Sequence, residues 1–474
     1  MNEKINRNVK ILTGDPKKAI IKLSIPMMIG NLVQTLYNVV DGIWVSGVSG
    51  NSLAAVGLFM PFMMIFSALV MGIGVGGSSA ISRAIGAKNR KRASNVAEHT
   101  LIFGLLIGTL LGYSFLPFLN TVFLKMGAGQ NVSQLAADYG RVIILGTPLI
   151  FLSSLGSAIL RGEGDTKRTM YVMVGSSIMN MVLDPIFIYS FNMGIVGAAV
   201  ATMISIAFSA IIMTYWLIFK KDTYVQLKLT YFKPKKDILR EILSVGLPSS
   251  LAQISTSLTM ILLNTIVLMA GGDYGMAVFS GGWRIVMMGN VPLMGMVSSA
   301  TSVMGAAYGA RDSKKLKSAY LYAVKIGTLI GLLSGVIIGV FAPQITYLFT
   351  YSEKSSYLAP GIVEFLRYIV FLFPGSAAAM FTSSLFRGIG KGMYSLTLTI
   401  IRSVIMQLLF TYLFGIALGM GLRGIWLGIV IANIISSLIA LAWGLHTLKK
   451  VESMLNLKTS LFIHPSINPK SKEV

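Results

Sequence analysis

About twelve apolar stretches follow one another along the chain, each long enough to cross ~30 Å of hydrocarbon at ~1.5 Å per residue. No other feature restricts the possible folds as much. A membrane-spanning β-barrel is excluded, because the stretches lack strict alternation and are too long for barrel strands. What remains is an all-α integral membrane protein. Composition agrees: 54% of the residues are hydrophobic and 12% are charged, where soluble domains average about 25% charged.

Lys and Arg set the expected orientation. Lys4, Arg7, Lys10, Lys17, Lys18 and Lys22 precede the first stretch. Every second connection after it is basic: 83–92, 161–168, 220–240, 311–317, 387–391 and the tail from Lys449. The alternate connections, SGVSGNS, NMG, GGDYG and GMG, are short and almost uncharged. Both termini are therefore expected in the cytoplasm, which requires an even number of spans. This basic face accounts for the net charge of +23, so no nucleic-acid partner is expected. A polar, basic leader before a long first span argues against a cleavable signal. The chain has no Cys, which excludes disulfides and thiol chemistry.

The chain repeats itself once. IGAKNRKRASNVAEH resembles YGARDSKKLKSAYLY and pairs Gly86 with Gly309. LRGEGDTKR resembles FRGIGKGMY, pairing Arg161 with Arg387, and GIVGAAVATMIS resembles GLRGIWLGIVIANIIS, pairing Gly194 with Gly421. The offsets are 223, 226 and 227, so order is kept over nearly half the chain. Twelve transmembrane helices in two six-helix bundles are expected, related by pseudo-two-fold symmetry. An even number of spans per half makes the repeats parallel. The expected division is a cytoplasmic tail over 1–14, a first bundle over 15–219, a cytoplasmic linker over 220–241, a second bundle over 242–447 and a cytoplasmic tail over 448–474.

A duplicated bundle without a soluble domain narrows the function. No Gly-x4-Gly-Lys-Ser/Thr phosphate loop occurs, so ATP hydrolysis within the chain is not expected. His99, His446 and His464 lie near span ends or in the tail, without metal spacing. An ion gradient remains, and coupling to it needs ionisable groups inside the membrane. Of the 17 acidic residues, Asp41 and Asp184 stand apart from those in connections, tails and outer turns. With helix 1 ending near Ser46 and helix 5 near Phe191, both lie ~8–10 Å inside the outer face. Each has polar company at helical spacing: Gln34, Tyr37, Asn38 and Asp41 on one helix, and Ser177, Asn180 and Asp184 on the other. Gly194, Gly197, Ala198 and Ala201 form a close-packing edge on helix 6, with Thr202 one turn above Ala198. The aligned places in the second half, near Leu263–Asn264 and Phe410–Thr411, hold no acid. A purely structural need would have been met in both halves.

NMVLDPIFIYSFNMGIVGAAVAT, QTLYNVVDGIWVSGVSGNSLAAVG and LRGEGD closely resemble the multidrug and toxic compound extrusion (MATE) family, over residues 15 to about 450. Within it the chain is similar to the prokaryotic branch related to DNA-damage-inducible protein F, in archaeal form. One departure is the turn after LRGEGD, which reads TKRTMY without the proline often found there. The resemblance implies a V-shaped pair of bundles around a cavity that opens alternately to either side. It implies a non-enzymatic exporter in the plasma membrane, needing no cofactor beyond the coupling ion. Small-molecule drugs and organic cations would leave in exchange for H+ or Na+. Carried over residue by residue, the cation site comprises Asp41, Asn180, Asp184 and Thr202, with Tyr37 and Tyr139 nearby. The first four would hold Na+ if sodium is the coupling ion. Two close carboxylates can share a proton, or offer oxygens to Na+ beside an amide and a hydroxyl.

Pro26 removes a backbone hydrogen bond in the inner half of helix 1 and is a candidate gating point. Rigid rocking of the bundles is the alternative. Gln34, Asn38, Met27, Met64, Met173 and Met260 are candidates for the substrate cavity, where flexible thioethers suit varied apolar ligands. Arg284 and Arg402, inside spans 8 and 11, are expected to snorkel or to satisfy helix carbonyls. Membrane lipids are the expected surroundings, and a monomer is expected. A flippase of lipid-linked oligosaccharide is the main alternative, but it would favour a cationic cavity. An intramembrane aspartyl protease fits poorly, because the GxGD-like Asp165 sits in a cytoplasmic turn. A channel would lack saturable counter-transport.

Overall fold

The computed structural model describes residues 3–220, 222–227, 232–351 and 353–463. Residues 221 and 228–231 of the expected linker lie outside the described residues, as does 464–474 of the expected tail, with His464. The described residues contain helices and no strand. A short helix, α1 (Glu3–Thr13), occupies most of the expected amino-terminal tail. The first half then holds α2 (Pro16–Ser46), α3 (Gly50–Gly86), α4 (Arg90–Lys125), α5 (Gln130–Leu145), α6 (Thr147–Gly162), α7 (Thr166–Ser190) and α8 (Gly194–Phe219). The second holds α9 (Lys236–Gly309), α10 (Ser313–Val340), α11 (Ala359–Ile369), α12 (Leu372–Gly388), α13 (Gly392–Ala417) and α14 (Gly421–Leu455).

The pairs α5–α6 and α11–α12 are single spans bent by 50° and 52°. The 74-residue α9 is broken at Gly272 (φ 56°, ψ −153°), a conformation open to glycine, into two arms each long enough to be a span. Counted in this way, the described residues hold twelve spans, six in each half. Helix α9 begins at Lys236, inside the stretch read as linker.

Local chemistry explains where helices start. Asp15, Ser49, Asn89, Asp165 and Asp312 each cap a helix by accepting a hydrogen bond from a backbone N–H two or three residues on. Asp165 thus starts α7 without the absent proline. The duplication extends to these details. The caps at Asn89 and Asp312 are 223 residues apart, as are the left-handed turn residues Lys88 (φ 56°) and Arg311 (φ 57°). Gly164 (φ 86°) and Gly390 (φ 82°) are 226 apart. The π-helical turns Ile186–Ser190 and Leu413–Ala417 are 227 apart.

The two halves are joined at one end. A buried apolar cluster containing Ile81, Ile85, Val303 and Ala306 runs through both halves. At the opposite end each half has its own cluster, around Phe59, Phe123 and Ile188 in the first and Phe279, Phe365 and Trp426 in the second. Polar contacts between the halves gather at the joined end. The Arg83 guanidinium donates to Glu241 at 3.1 Å and to the Gly388 carbonyl at 3.2 Å. Arg92 donates to Glu241 at 2.6 Å, Ser79 to the Arg387 carbonyl, and Ser250 to the Ala68 carbonyl at 2.9 Å. This is the end that carries the basic connections, so the pair of bundles is closed there and diverges away from it.

The described part of the linker is docked on the first half. Glu163 accepts from the Val225 N–H at 3.2 Å, Ser94 from Gln226 at 2.9 Å, and His99 Nε2 from Lys235 at 2.9 Å. His99 Nδ1 in turn donates to the Asn95 carbonyl at 2.7 Å, so this histidine is a buried bridge rather than a ligand. Arg168 pairs with Asp222 and lies 5.2 Å from the Trp216 ring centroid.

Candidate functional site

In the first half α2 and α7 run side by side, close enough for the Met173 sulfur to fill the space above Gly30, which lacks a side chain. Their outer parts carry the two acids. Asp184 is fully buried and Asn180 is 2% exposed, while Asp41, Tyr37, Tyr139 and Thr202 are half-buried. The amide of Asn180 joins two of these groups. Its nitrogen donates to Asp184 Oδ2 at 2.9 Å, and its oxygen accepts from the Thr202 N–H at 3.0 Å and hydroxyl at 3.3 Å. The Asp41 carboxyl neighbours the Asp184 carboxyl, and the Tyr37 hydroxyl neighbours Thr202. Tyr139 sits close enough to feel both acids, its ring edge-on to Phe59 at 5.6 Å. The second oxygen of Asp184, Oδ1, is buried and has no hydrogen-bond partner among the described residues.

That orphaned oxygen matters chemically. A buried carboxylate oxygen without a donor is costly, and a proton or a small cation between Asp41 and Asp184 would satisfy it. The donor set of two carboxylates, an amide oxygen and a hydroxyl is hard, as alkali cations prefer. Among the described residues, no group of three or more His, Cys, Asp or Glu side chains is placed to hold a metal ion.

Pro185 ends the regular part of α7, and the chain continues as the wider π-helical turn Ile186–Ser190. Gly197 on α8 permits this: a β-carbon there would lie 2.5 Å from the Phe187 carbonyl oxygen. The turn aims Tyr189 back at α2, where its hydroxyl donates to the Trp44 carbonyl at 2.7 Å and the two rings meet edge-on. Sequence reasoning missed this pair. Its signal was present, since Trp44 and Tyr189 follow Asp41 and Asp184 by three and five residues.

The other candidates are dispersed. Helix α2 is continuous through Pro26, which is buried where the helix crosses α9. A β-carbon on Gly295 of α9 would sit 2.7 Å from the Met28 nitrogen. Met27, 4% exposed, packs at the same crossing. Gln34 is half-buried, and Asn38 and Met64 are exposed. Met173 belongs to the α2–α7 contact, whereas Met260 packs on the outer cluster of the other half. Arg284 is exposed, and Arg402 is half-buried near Arg387.

Comparison with known proteins agrees with this architecture. The MatE family profile matches residues 26–186 and 248–413, one segment in each half. A probable multidrug resistance protein of Bacillus subtilis (strain 168) is 26% identical over 424 residues, 88% of this chain and 90% of that protein. An outward-facing multidrug resistance MATE transporter of the MOP superfamily superposes with a TM-score of 0.92 at 48% identity, covering 94% of this chain and 99% of that one. A MOP superfamily transporter from Pyrococcus furiosus, described as having a binding pocket of reverse polarity, superposes with a TM-score of 0.91 at 48% identity and the same coverage. With both halves matched in sequence and nearly the whole chain matched in structure, the protein belongs to the MATE family of multi-pass membrane transporters, which are not enzymes.

Proposed function

We propose that the protein is a secondary exporter that moves amphipathic, often cationic organic compounds out of the cell in exchange for H+ or Na+. Its coupling residues are Asp41 and Asp184, with Asn180, Thr202, Tyr37 and Tyr139 completing the cation site. The observation that carries this reading is the buried, unpartnered Asp184 Oδ1 beside Asp41. In the same reading the basic face and both termini are cytoplasmic, the membrane is the plasma membrane, and the conformation described is open to the outside. Names of similar proteins, multidrug resistance and multidrug export, support the substrate class.

Coupling follows from differential stabilisation. A bound proton or cation holds Asp41 of α2 against Asp184, Asn180 and Thr202 on α7 and α8. After its release the two carboxylates repel each other across a short distance. The outer part of α2 then prefers a different position, and with it the cavity wall changes. Counterflow in proteoliposomes under an Na+ gradient alone and an H+ gradient alone tests the proposal. A fluorescent organic cation should be driven uphill by at least one of them. Movement down its own gradient only, under both conditions, would sink the reading.

A further inference from the structure

A recess of about 570 Å³ opens between α1 and the first turns of α2 on the basic face. Arg7, Lys10, Lys18 and Lys22 line it, above an apolar floor of Ile11 and Ala19. Among the described residues none of the four cations makes an ion pair, although Arg83, Arg92 and Arg168 on the same face are all paired. Among the residues whose side chains are described, one acid reaches the wall, Asp15, and it is engaged in capping α2 through the Lys17 N–H at 2.9 Å. An excess of Lys and Arg on one membrane face is common. It does not by itself build a walled recess with an apolar floor.

The recess is held in shape. Leu12 of α1 is 2% exposed and packs beside Gly164. Lys315 Nζ, from the start of α10, donates to the Thr13 carbonyl at the end of α1 at 3.0 Å. Helix α1 is therefore fixed to both halves. On α2 the two lysines begin a longer stripe. Lys18, Lys22, Ile25, Ile29 and Leu32 follow spacings of four, three or four residues and share one face. Ile25, Ile29 and Leu32 are 51%, 45% and 48% exposed. Positive charge at the membrane boundary thus passes into an apolar track along the same helix.

We propose that this recess binds the phosphate headgroup of an anionic phospholipid, whose acyl chain lies along Ile25, Ile29 and Leu32. The unpaired cations supply charge-assisted hydrogen bonds to the phosphate, and the stripe makes a lipid rather than a soluble phosphate the occupant. Only the leaflet, the cytoplasmic one, rests on the orientation proposed above.

The purified full-length protein is titrated in detergent with phosphatidylglycerol or phosphatidylcholine, and retained lipid is counted by native mass spectrometry. The variant Arg7→Gln/Lys10→Gln/Lys18→Gln/Lys22→Gln is compared with Lys314→Gln/Lys317→Gln/Lys449→Gln/Lys450→Gln, which removes the same charge from exposed sites elsewhere on that face. Phosphatidylglycerol should bind the wild type and the second variant alike, and the first about tenfold or more weakly. The milder Lys18→Gln/Lys22→Gln should show an intermediate loss if the quadruple variant proves unstable. Equal weakening in both quadruple variants would reduce the effect to diffuse attraction and overturn the site. Displacement of the lipid by millimolar inorganic phosphate would overturn the lipid assignment in favour of a soluble phosphate. Because the readout is binding, it is independent of whether the proposed transport is correct.

Discussion

Gly86 and Gly309 face each other's helices across the closed end with reciprocal geometry. A β-carbon on Gly86 would lie 1.9 Å from the Ala306 carbonyl oxygen, and one on Gly309 would lie 2.0 Å from the Arg83 carbonyl oxygen. Both the glycines and the carbonyls they meet are 223 residues apart. The pseudo-two-fold axis therefore passes through this crossing of α3 and α9. Gly305 adds to it, since its β-carbon would lie 2.4 Å from the hydroxyl of Ser82, its own counterpart.

Gly86→Ala and Gly309→Ala should each wedge the closed end apart, and by similar amounts because the contacts are mutual. Overpacking of this kind costs about 1–3 kcal/mol, enough to shift a two-state population about tenfold. The chain has no Cys, so Ser302→Cys places a single thiol at a buried site whose hydroxyl has no partner among the described residues. Its labelling by a water-soluble maleimide should accelerate in both glycine variants. Acceleration in only one would contradict the reciprocity.

Asp41→Asn and Asp184→Asn should each abolish gradient-driven export while leaving the protein folded. A neutral amide neither cycles a proton nor balances a cation. Asp273→Asn and Glu364→Gln are the controls. Asp273 is exposed, and Glu364 pairs with Arg423 at 2.6 Å on the surface, where such pairs contribute at most about 1 kcal/mol. Uphill export retained by an Asp41 or Asp184 variant at equal expression would remove that residue from the coupling scheme.

Much of this architecture was legible because a bilayer permits few backbone solutions. Apolar run length marked the spans, and the end of α2 at Ser46 was visible in the polar turn that follows it. Gly86 and Gly309 could be paired because each sits in a recognisable turn sequence. The bends after Leu145 and Ile369 were not legible, since each lies inside one apolar run and periodicity does not register a 50° change of direction. Helix α1 read as a tail because its basic residues dominate its composition. The roles of Glu163 and His99 were hidden for a different reason. Both bind backbone N–H groups of the linker, and a backbone donor leaves no trace in residue identity.

Glu241 holds Arg83 and Arg92 together at the closed end, at 3.1 and 2.6 Å. Glu241→Gln should loosen that end by about 1–3 kcal/mol, since Arg83 is largely shielded and would lose its counter-charge. Asp237→Asn should have little effect, because its 3.7 Å pair with Arg92 is exposed. The single thiol at position 302 distinguishes them: labelling should rise severalfold in the first variant and stay level in the second.

Pro26→Ala tests whether α2 gates by bending. The structure has α2 continuous through Pro26, and alanine would supply the missing N–H, worth about 1 kcal/mol. The continuous form would then be favoured and turnover should fall. Cation affinity should change little, because Asp41 lies fifteen residues away. An unchanged transport rate would leave rigid rocking of the halves as the mechanism.

The docked linker should respond to pH through Glu163. This carboxyl follows α6 in the connecting turn, outside the spans, and is 2% exposed. Burial pushes it up to about 8 from an ordinary value of 4.5; the Asp165 charge adds to this, while the Val225 N–H and Arg168 oppose it. When the linker lifts away, water reaches the carboxyl and its affinity for a proton falls back. The docked state therefore binds the proton more tightly. Its contribution to docking is fully present below about pH 4.5 and is lost as pH rises through about 8. The effect is on the order of a few kcal/mol, at about 1.4 kcal/mol per unit. Hydrogen exchange at residues 222–227, corrected for intrinsic rates, should quicken from pH 6 to pH 9. Glu163→Gln keeps an oxygen for the Val225 N–H but carries no charge, so it should flatten that dependence. A wild-type linker equally protected at both pH values would mean that Arg168 and the backbone donors hold Glu163 ionised, and the pH response would be lost.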